Sequence, residues 1–445
     1  MKSPVSTLEA WRVSALLRRL REPVEARDRI PLVLFAASFV TYWVTGQLLQ
    51  EFRGHDGWNY FFNADCPRIL SDMSASQSGS TSGNPASVAH PLFVLLTNLP
   101  TALLSRALGR APLMASLLMC HAAMAGSVVL FYSILKRLGQ PRSMAAIFAA
   151  LYALGTSNWV FGSITETYAF MPLALLLVVR LGLSRAPLLL QALAAVLPFG
   201  INIVLASYSL LALPVLFAAR TSARQWLRRV ATFVPLVVLL TISGLALQRH
   251  FYPDTNIVNR GGFSGYESWY SKDENAAFLS QRRRLVALHF GAYSVVAPAP
   301  RLAPEKISTF MWFPNEAPPA YSRIGRVALG LWLAGLALAC ATLVRRFRTF
   351  GRETLSVLVL VAGWLAGTAV FFVRFGDDLT LYSEFWVGHV LLAFAILIGE
   401  ALRPRERQTR WLVVLALFAA TLGVNNALFV GKLVRNYHQG RWLTL

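Results

Sequence analysis

Apolar runs of about 20 residues, each long enough to cross a bilayer as a helix, recur along the chain from Ile30 to Phe429. In hydrocarbon every backbone N–H and C=O must be satisfied within the protein, which leaves closed barrels or helices, and runs of this length suit helices. The expected fold is therefore all-α, a polytopic transmembrane helical bundle of about eleven spans with juxtamembrane helices in two large outer loops. The chain is 56% hydrophobic and 14% charged over 445 residues, and its mean hydropathy is +0.51. A soluble chain would carry about 25% charged residues, and no stretch here is left over for a separate soluble domain.

The formal charge of +21 raises the question of nucleic acid. The basic residues, however, gather at helix ends and in short loops rather than on a surface interleaved with aromatics, so the membrane face is their expected partner and no nucleic acid is expected. Residues 1–29 form a basic amphipathic N-terminus without a cleavage pattern before the first apolar run, so that run is expected to be retained. Cys66, Cys120 and Cys340 are scattered, which indicates neither a disulfide framework nor a metal cluster.

Lys and Arg in the short loops set the sides. A first helix over about Ile30 to Gln50 running outward leaves residues 51–111 as an outer loop. Within it, Trp58 to Leu70 reads as a helix lying in the headgroup layer, Ser74 to Ser87 is a low-complexity tract, and His90 to Gly109 reads as a juxtamembrane or re-entrant helix. Further spans follow over Pro112–Leu135, Met144–Phe161 and Tyr168–Val179, and a fifth is expected to turn at Pro198-Phe199-Gly200. Residues 30–248 thus form an N-terminal transmembrane module, 249–323 a second outer loop and 324–445 a C-terminal module. In the second loop, Asn275 to Phe290 is patterned as an amphipathic interfacial helix, with Arg282 to Arg284 beside its apolar face.

Acids are scarce, 21 in all, and several fall at the outer mouth: Asp56, Asp65 and Asp72 in the first loop, Glu166 in the tight loop GSITETY, and Asp377, Asp378 and Glu384 near Arg374. Ionisable groups at the ends of membrane helices mark chemistry or ion sites. Each also has an ordinary explanation. Asp56 and Asp65 are placed to cap short helices, Thr165 or Ser163 with Glu166 fits a capping box, and the acids near Arg374 fit a loop charge network. His55 and Asp56 are sequence neighbours and do not face each other on a helix.

The segment HDGWNYFFNAD, with Asp56 and an aromatic stretch including Tyr60, followed by HPLFVLL from His90 and by Glu166 in the next outer loop, resembles the GT-C class of polytopic membrane glycosyltransferases. That class includes protein O-mannosyltransferases and the enzymes that transfer aminoarabinose to lipid A. The resemblance covers roughly residues 30–220. It implies an enzyme, a hexosyl- or pentosyltransferase, moving a sugar from a polyprenyl-phosphate donor to a lipid, glycan or protein acceptor at the outer face of a bacterial inner membrane. Asp56 is then the catalytic base, with Glu166 orienting the acceptor or joining Asp56 in holding a divalent metal ion. His55, Tyr60, Asp65 and His90 fall to the substrate, and Arg260, Arg282, Lys306 and Arg374 are outer cations available to its phosphate. One departure stands out: many members carry two adjacent acids after the first helix, whereas here Gly57 follows Asp56.

Physical need agrees with placement at the mouth. An inverting transfer requires a base for the acceptor's proton, cations for the departing phosphate and a cavity that aligns the two substrates. The competing class is a transporter or flippase of an amphiphilic or lipid-linked substrate, whose acids belong at mid-membrane. A third, a nonenzymatic envelope scaffold, makes no single acid important.

Overall fold

The computed structural model describes residues 28–49, 64–74, 89–184, 186–253, 275–299, 301–302, 311–312, 321–375, 379–402 and 405–438. These residues are almost entirely helical: α1 (Ile30–Leu48), α2 (Cys66–Ser74), α3 (Phe93–Leu108), α4 (Pro112–Arg137), α5 (Arg142–Leu154), α6 (Thr156–Phe161), α7 (Met171–Gly182) and α8 (Leu188–Ile201). The order continues with α9 (Ala206–Ala218), α10 (Ala223–Phe251), α11 (Ala276–Leu288), α12 (Arg323–Arg346), α13 (Arg352–Phe372), α14 (Val387–Ala401) and α15 (Arg405–His438). Arg301–Leu302 and Met311–Trp312 form an antiparallel two-residue pairing, a minor exception to the all-α expectation. Among the described residues six helices are long and apolar enough to cross a membrane: α1, α4, α10, α12, α13 and the Thr409–Arg435 part of α15. Six further apolar helical segments are shorter. The molecule is a membrane protein by this measure.

Local sequence accounts for the helix starts. Pro31 and Pro112 occupy first turns, where a missing N–H costs nothing. Ser222 and Gln225 form a reciprocal capping box on α10, and Ser222 accepts from the Gln225 N–H at 3.4 Å. More than half of α4 is buried, whereas α10 is largely exposed, so α4 is central and α10 peripheral. α4 packs on α1, α5 and α7, and α14 packs on α12 and α13. Buried aromatics fill the space between, with Phe131 stacked on Tyr152 at 4.6 Å and Trp332 against Phe394 at 4.7 Å.

The bundle has two unlike ends, and bonds from Arg137 and Arg220 to the Leu183 and Ser184 carbonyls gather several connections at one of them. One carries the short basic connections between α4 and α5, α7 and α8, and α9 and α10; we call it the basic end. The other, the acidic end, carries broken helices. The span expected over Met144–Phe161 is divided at Gly155 into α5 and α6, because the backbone there pairs with a different segment: the Thr156 and Ser157 N–H groups donate to the Val295 and Ser294 carbonyls at 3.2 and 3.1 Å. The turn expected at Pro198-Phe199-Gly200 is displaced, since α8 runs through those residues and the chain reverses at Asn202, whose side chain caps the 3-10 turn Ile203–Leu205. Gly200 instead permits close approach: a Cβ there would lie 2.9 Å from the Leu92 Cβ.

The outer segments are also re-bounded. The described part of the helix expected over Trp58–Leu70 is α2, which starts later, at Cys66. The segment His90–Gly109 holds α3, continuous through Pro100. The interfacial helix expected over Asn275–Phe290 is α11, which ends at Leu288 and passes into a π-turn, His289–Tyr293. The chain then enters the interior as turns and irregular backbone. Ala297 N–H donates to Asn426 Oδ1 at 3.1 Å, and Asn426 Nδ2 donates to the Val295 and Leu154 carbonyls at 2.9 and 2.7 Å. Non-helical backbone at such depth is stable only where protein groups satisfy it, and α15 supplies them here.

Candidate functional site

Glu166 lies at the acidic end, between α6 and α7, and is 1% exposed. It caps the 3-10 turn Thr167–Ala169: Oε1 accepts from the Thr167 N–H at 2.7 Å and from the Thr167 hydroxyl at 2.9 Å. Oε2 accepts from the Asp65 N–H at 2.9 Å. The cap is thus made by Glu166 itself, whereas the capping box expected from sequence had Thr165 or Ser163 at the cap. The third bond is long-range and ties the start of α2 onto the α6–α7 loop.

Asp65 continues the cluster. Its carboxylate is gripped by Arg68, whose Nε donates to Oδ2 at 3.1 Å and whose second nitrogen contacts the same oxygen. Arg68 also lies 3.9 Å from Asp72 and 3.3 Å from His90 Nε2. His90 Nδ1 is 2.6 Å from the Ile201 carbonyl, so Nδ1 carries the proton and Nε2 presents its lone pair to Arg68. Backbone bonds from Leu92 N–H to the Gly200 carbonyl and from Ile203 N–H to the Ala89 carbonyl, both 2.9 Å, hold His90 there. One cluster therefore fixes α2, the start of α3, the end of α8 and the α6–α7 loop.

Three carboxylates lie within electrostatic reach of one guanidinium, Glu166 and Asp72 buried and Asp65 partly exposed. Burial, reinforced by Asp65, pushes the Glu166 carboxyl up, against the opposing pull of Arg68 and the Thr167 donors. Burial likewise lifts Asp72 to about 6 even with Arg68 beside it. His90 is driven the other way, down to about 3, by burial and by Arg68, in keeping with its neutral tautomer.

A second buried acid sits nearby under different conditions. Glu384, in the 3-10 turn Leu381–Phe385 between α13 and α14, is 1% exposed, and among the described residues neither carboxyl oxygen has a hydrogen-bond partner. Burial holds its pKa well above the usual carboxylate range. Tyr42 and Tyr152 lie within its electrostatic reach. Tyr168, two residues after Glu166, meets both Tyr382 and Phe385 at 6.3 Å between ring centroids, so an aromatic layer joins the two acids' surroundings.

The structure gathers Asp65, His90 and Glu166 from among the residues singled out by sequence. His55, Asp56, Tyr60, Arg260, Lys306, Asp377 and Asp378 lie outside the described residues. Arg282 is apart from the cluster and serves as a helix cap: it is 9% exposed and donates to the Phe372, Phe375 and Val373 carbonyls at 3.0, 3.1 and 3.5 Å, at the end of α13. Arg374 is half-buried in the turn beyond α13. Sequence reasoning passed over Arg68, although its spacing from Asp65 and Asp72 places all three on one helical face.

The metal expectation can be tested on the donors present. Glu166 is already surrounded by two N–H groups and a hydroxyl, with Arg68 beyond, an arrangement of positive dipoles that fits no cation. Among the described residues no group of three His, Cys, Asp or Glu side chains could hold one. No protein-family model matches the chain, and no curated protein matches it.

Proposed function

We propose that the protein is an integral-membrane glycosyltransferase of about eleven spans, transferring a hexose or pentose from a polyprenyl phosphate to an envelope lipid, glycan or protein at the outer face of a bacterial inner membrane. Under this reading the acidic end faces outward, as the basic loops at the other end favour. The observation that carries the reading is the bond from Asp65 N–H to Glu166: it anchors the first outer loop against the bundle at a point nine residues after Asp56. A tethered loop is what a base on that loop needs in order to be positioned.

Asp56 takes the proton from an acceptor hydroxyl, whose oxygen attacks the anomeric carbon. The bond from that carbon to the phosphate oxygen breaks, and polyprenyl phosphate leaves with its electron pair. Glu166, with both oxygens engaged, is a positioning residue for the loop. No step runs through a metal.

Reconstituted Asp56→Asn protein should transfer sugar roughly 10²- to 10⁴-fold more slowly while remaining folded and still binding the lipid donor. Wild-type turnover by that variant would remove Asp56 from the mechanism. A second reading, a transporter of a lipid-linked substrate coupled to protons, is favoured by the unpaired carboxyl of Glu384. It predicts movement of labelled substrate across proteoliposomes with no glycosylated product.

A further inference from the structure

The basic end holds a charge imbalance that the acidic-end reading does not use. Arg137 closes α4, Arg180 lies in the last turn of α7, Arg220 follows α9, and Glu353 opens α13. Arg220 Nε donates to Glu353 Oε1 at 2.8 Å, its NH1 donates to the Ser184 carbonyl at 3.1 Å, and its NH2 reaches the Leu183 carbonyl. Arg137 Nε donates to the same Leu183 carbonyl at 3.0 Å, and its NH2 lies 3.9 Å from Glu353. Two guanidiniums thus converge on one carbonyl and share one carboxylate.

Arg180 completes the group, and among the described residues it has no counter-ion. Its Nε donates to Ser133 Oγ at 2.7 Å, and the charged groups within its electrostatic reach are Arg137 and Arg220. Capping of helix C-termini explains Arg137 and Arg220, which bind carbonyls after α7; Arg180 suits the dipole of α7 but donates to a side-chain hydroxyl rather than to a carbonyl. Three guanidiniums against one carboxylate leave an excess of two positive charges, and Arg180 keeps both terminal nitrogens for an anion.

The setting selects the anion. The cluster lies where helices end at a membrane surface, and Leu211 and Val359 are exposed about two turns deeper on the helices adjoining Arg220 and Glu353. An anion with an apolar tail meets both surfaces at once, and a phosphodiester offers oxygens to two or three guanidiniums together. We propose that Arg137, Arg180 and Arg220 form a binding site for the phosphate headgroup of an anionic membrane lipid. The site is independent of what the acidic end does.

The test uses the full chain in neutral detergent, titrated with phosphatidylglycerol or phosphatidylcholine in mixed micelles and followed by thermal unfolding. Phosphatidylglycerol should raise the unfolding temperature and phosphatidylcholine should not. Arg180→Gln and Arg137→Gln should each weaken the phosphatidylglycerol response roughly tenfold in concentration. Arg348→Gln, an exposed cation at the same end, should leave it unchanged. The half-exposed Arg137 carries the test should Arg180→Gln fail to fold. Equal responses from all three variants, or wild-type responses from Arg180→Gln and Arg137→Gln, would overturn the site. Inorganic phosphate matching the lipid at equal concentration would overturn its assignment to a lipid.

Discussion

Glu166 and Glu384 are both 1% exposed, both lie at helix breaks at the acidic end, and both are carboxyls held above their ordinary pKa by burial. They differ in what surrounds them. Glu166 accepts three hydrogen bonds from the protein, two of them from backbone N–H groups; Glu384 accepts none. A buried acceptor that is fully used has been recruited to hold structure, whereas one left unused costs stability and persists where it serves something else. Burial alone therefore says little about a residue's task; the tally of its partners says more.

Removing Glu166 should have the largest effect. Glu166→Ala strands the Asp65 and Thr167 N–H groups and the Thr167 hydroxyl, at a cost of about 3–5 kcal/mol, seen as a fall in unfolding temperature in detergent. The contrast breaks if Glu384→Ala is equally damaging. Next, Glu384→Met should leave stability unchanged or raise it by about 1–2 kcal/mol, since an unmet buried carboxyl is exchanged for an apolar side chain of similar size. Lowered turnover or transport in a protein of undiminished stability is the expected pairing, and full activity would mark Glu384 as merely tolerated.

Gly200→Ala should cost about 1–3 kcal/mol by forcing its Cβ against Leu92, two residues from His90. Because it disturbs the Glu166 cluster and leaves the Glu384 turn alone, its effect should add to that of Glu384→Met and combine non-additively with Glu166→Gln. The last contrast is one of pH, and it is spread over several pH units. His90 titrates near 3 when folded and near 6.5 when unfolded, so the unfolded chain takes the proton first. Its contribution is complete above pH 6.5 and is lost as pH falls towards 3, by at most about 1.4 kcal/mol per pH unit. Glu384 has the opposite sign: its raised pKa favours the folded state when protonated, and that contribution is lost as pH rises through the folded pKa. His90→Gln should flatten the acid limb of a stability–pH curve, and Glu384→Gln the alkaline limb.

The helices were legible because hydrocarbon imposes them. Runs such as Pro112–Arg137 need no tertiary information, and Lys and Arg mark their ends. The breaks were harder, since the helix is interrupted at Gly155 where the Val295 and Ser294 carbonyls arrive from a distant segment to take the N–H groups of Thr156 and Ser157. Pro198-Phe199-Gly200 reads as a turn by composition, yet Gly200 is there for Leu92. Glu166 could be found from its position in a tight loop, but its bond to Asp65 crosses 101 residues and has no local signature. Arg282, in a run of three arginines, looks like an interfacial anchor; Leu285 and Val286 share its helical face and carry it inward. Glu384 follows RFGDD and resembles a loop charge, because no sequence pattern records that its neighbours withhold donors.

The Asn425–Asn426 pair carries a consequence for how the molecule is made. Asn426 bonds to the Leu154 carbonyl across 272 residues, and Asn425 donates to the Ala297 carbonyl at 3.0 Å. A ribosome delivers α5 and the Ser294–Ala297 segment to the membrane long before α15, so their polar backbone must wait in water or in another protein's care. The Leu154 and Ala297 carbonyls therefore gain these partners only once α15 has joined the bundle. A chain halted ahead of Asn425 would be a substrate for membrane quality control even with every earlier helix inserted.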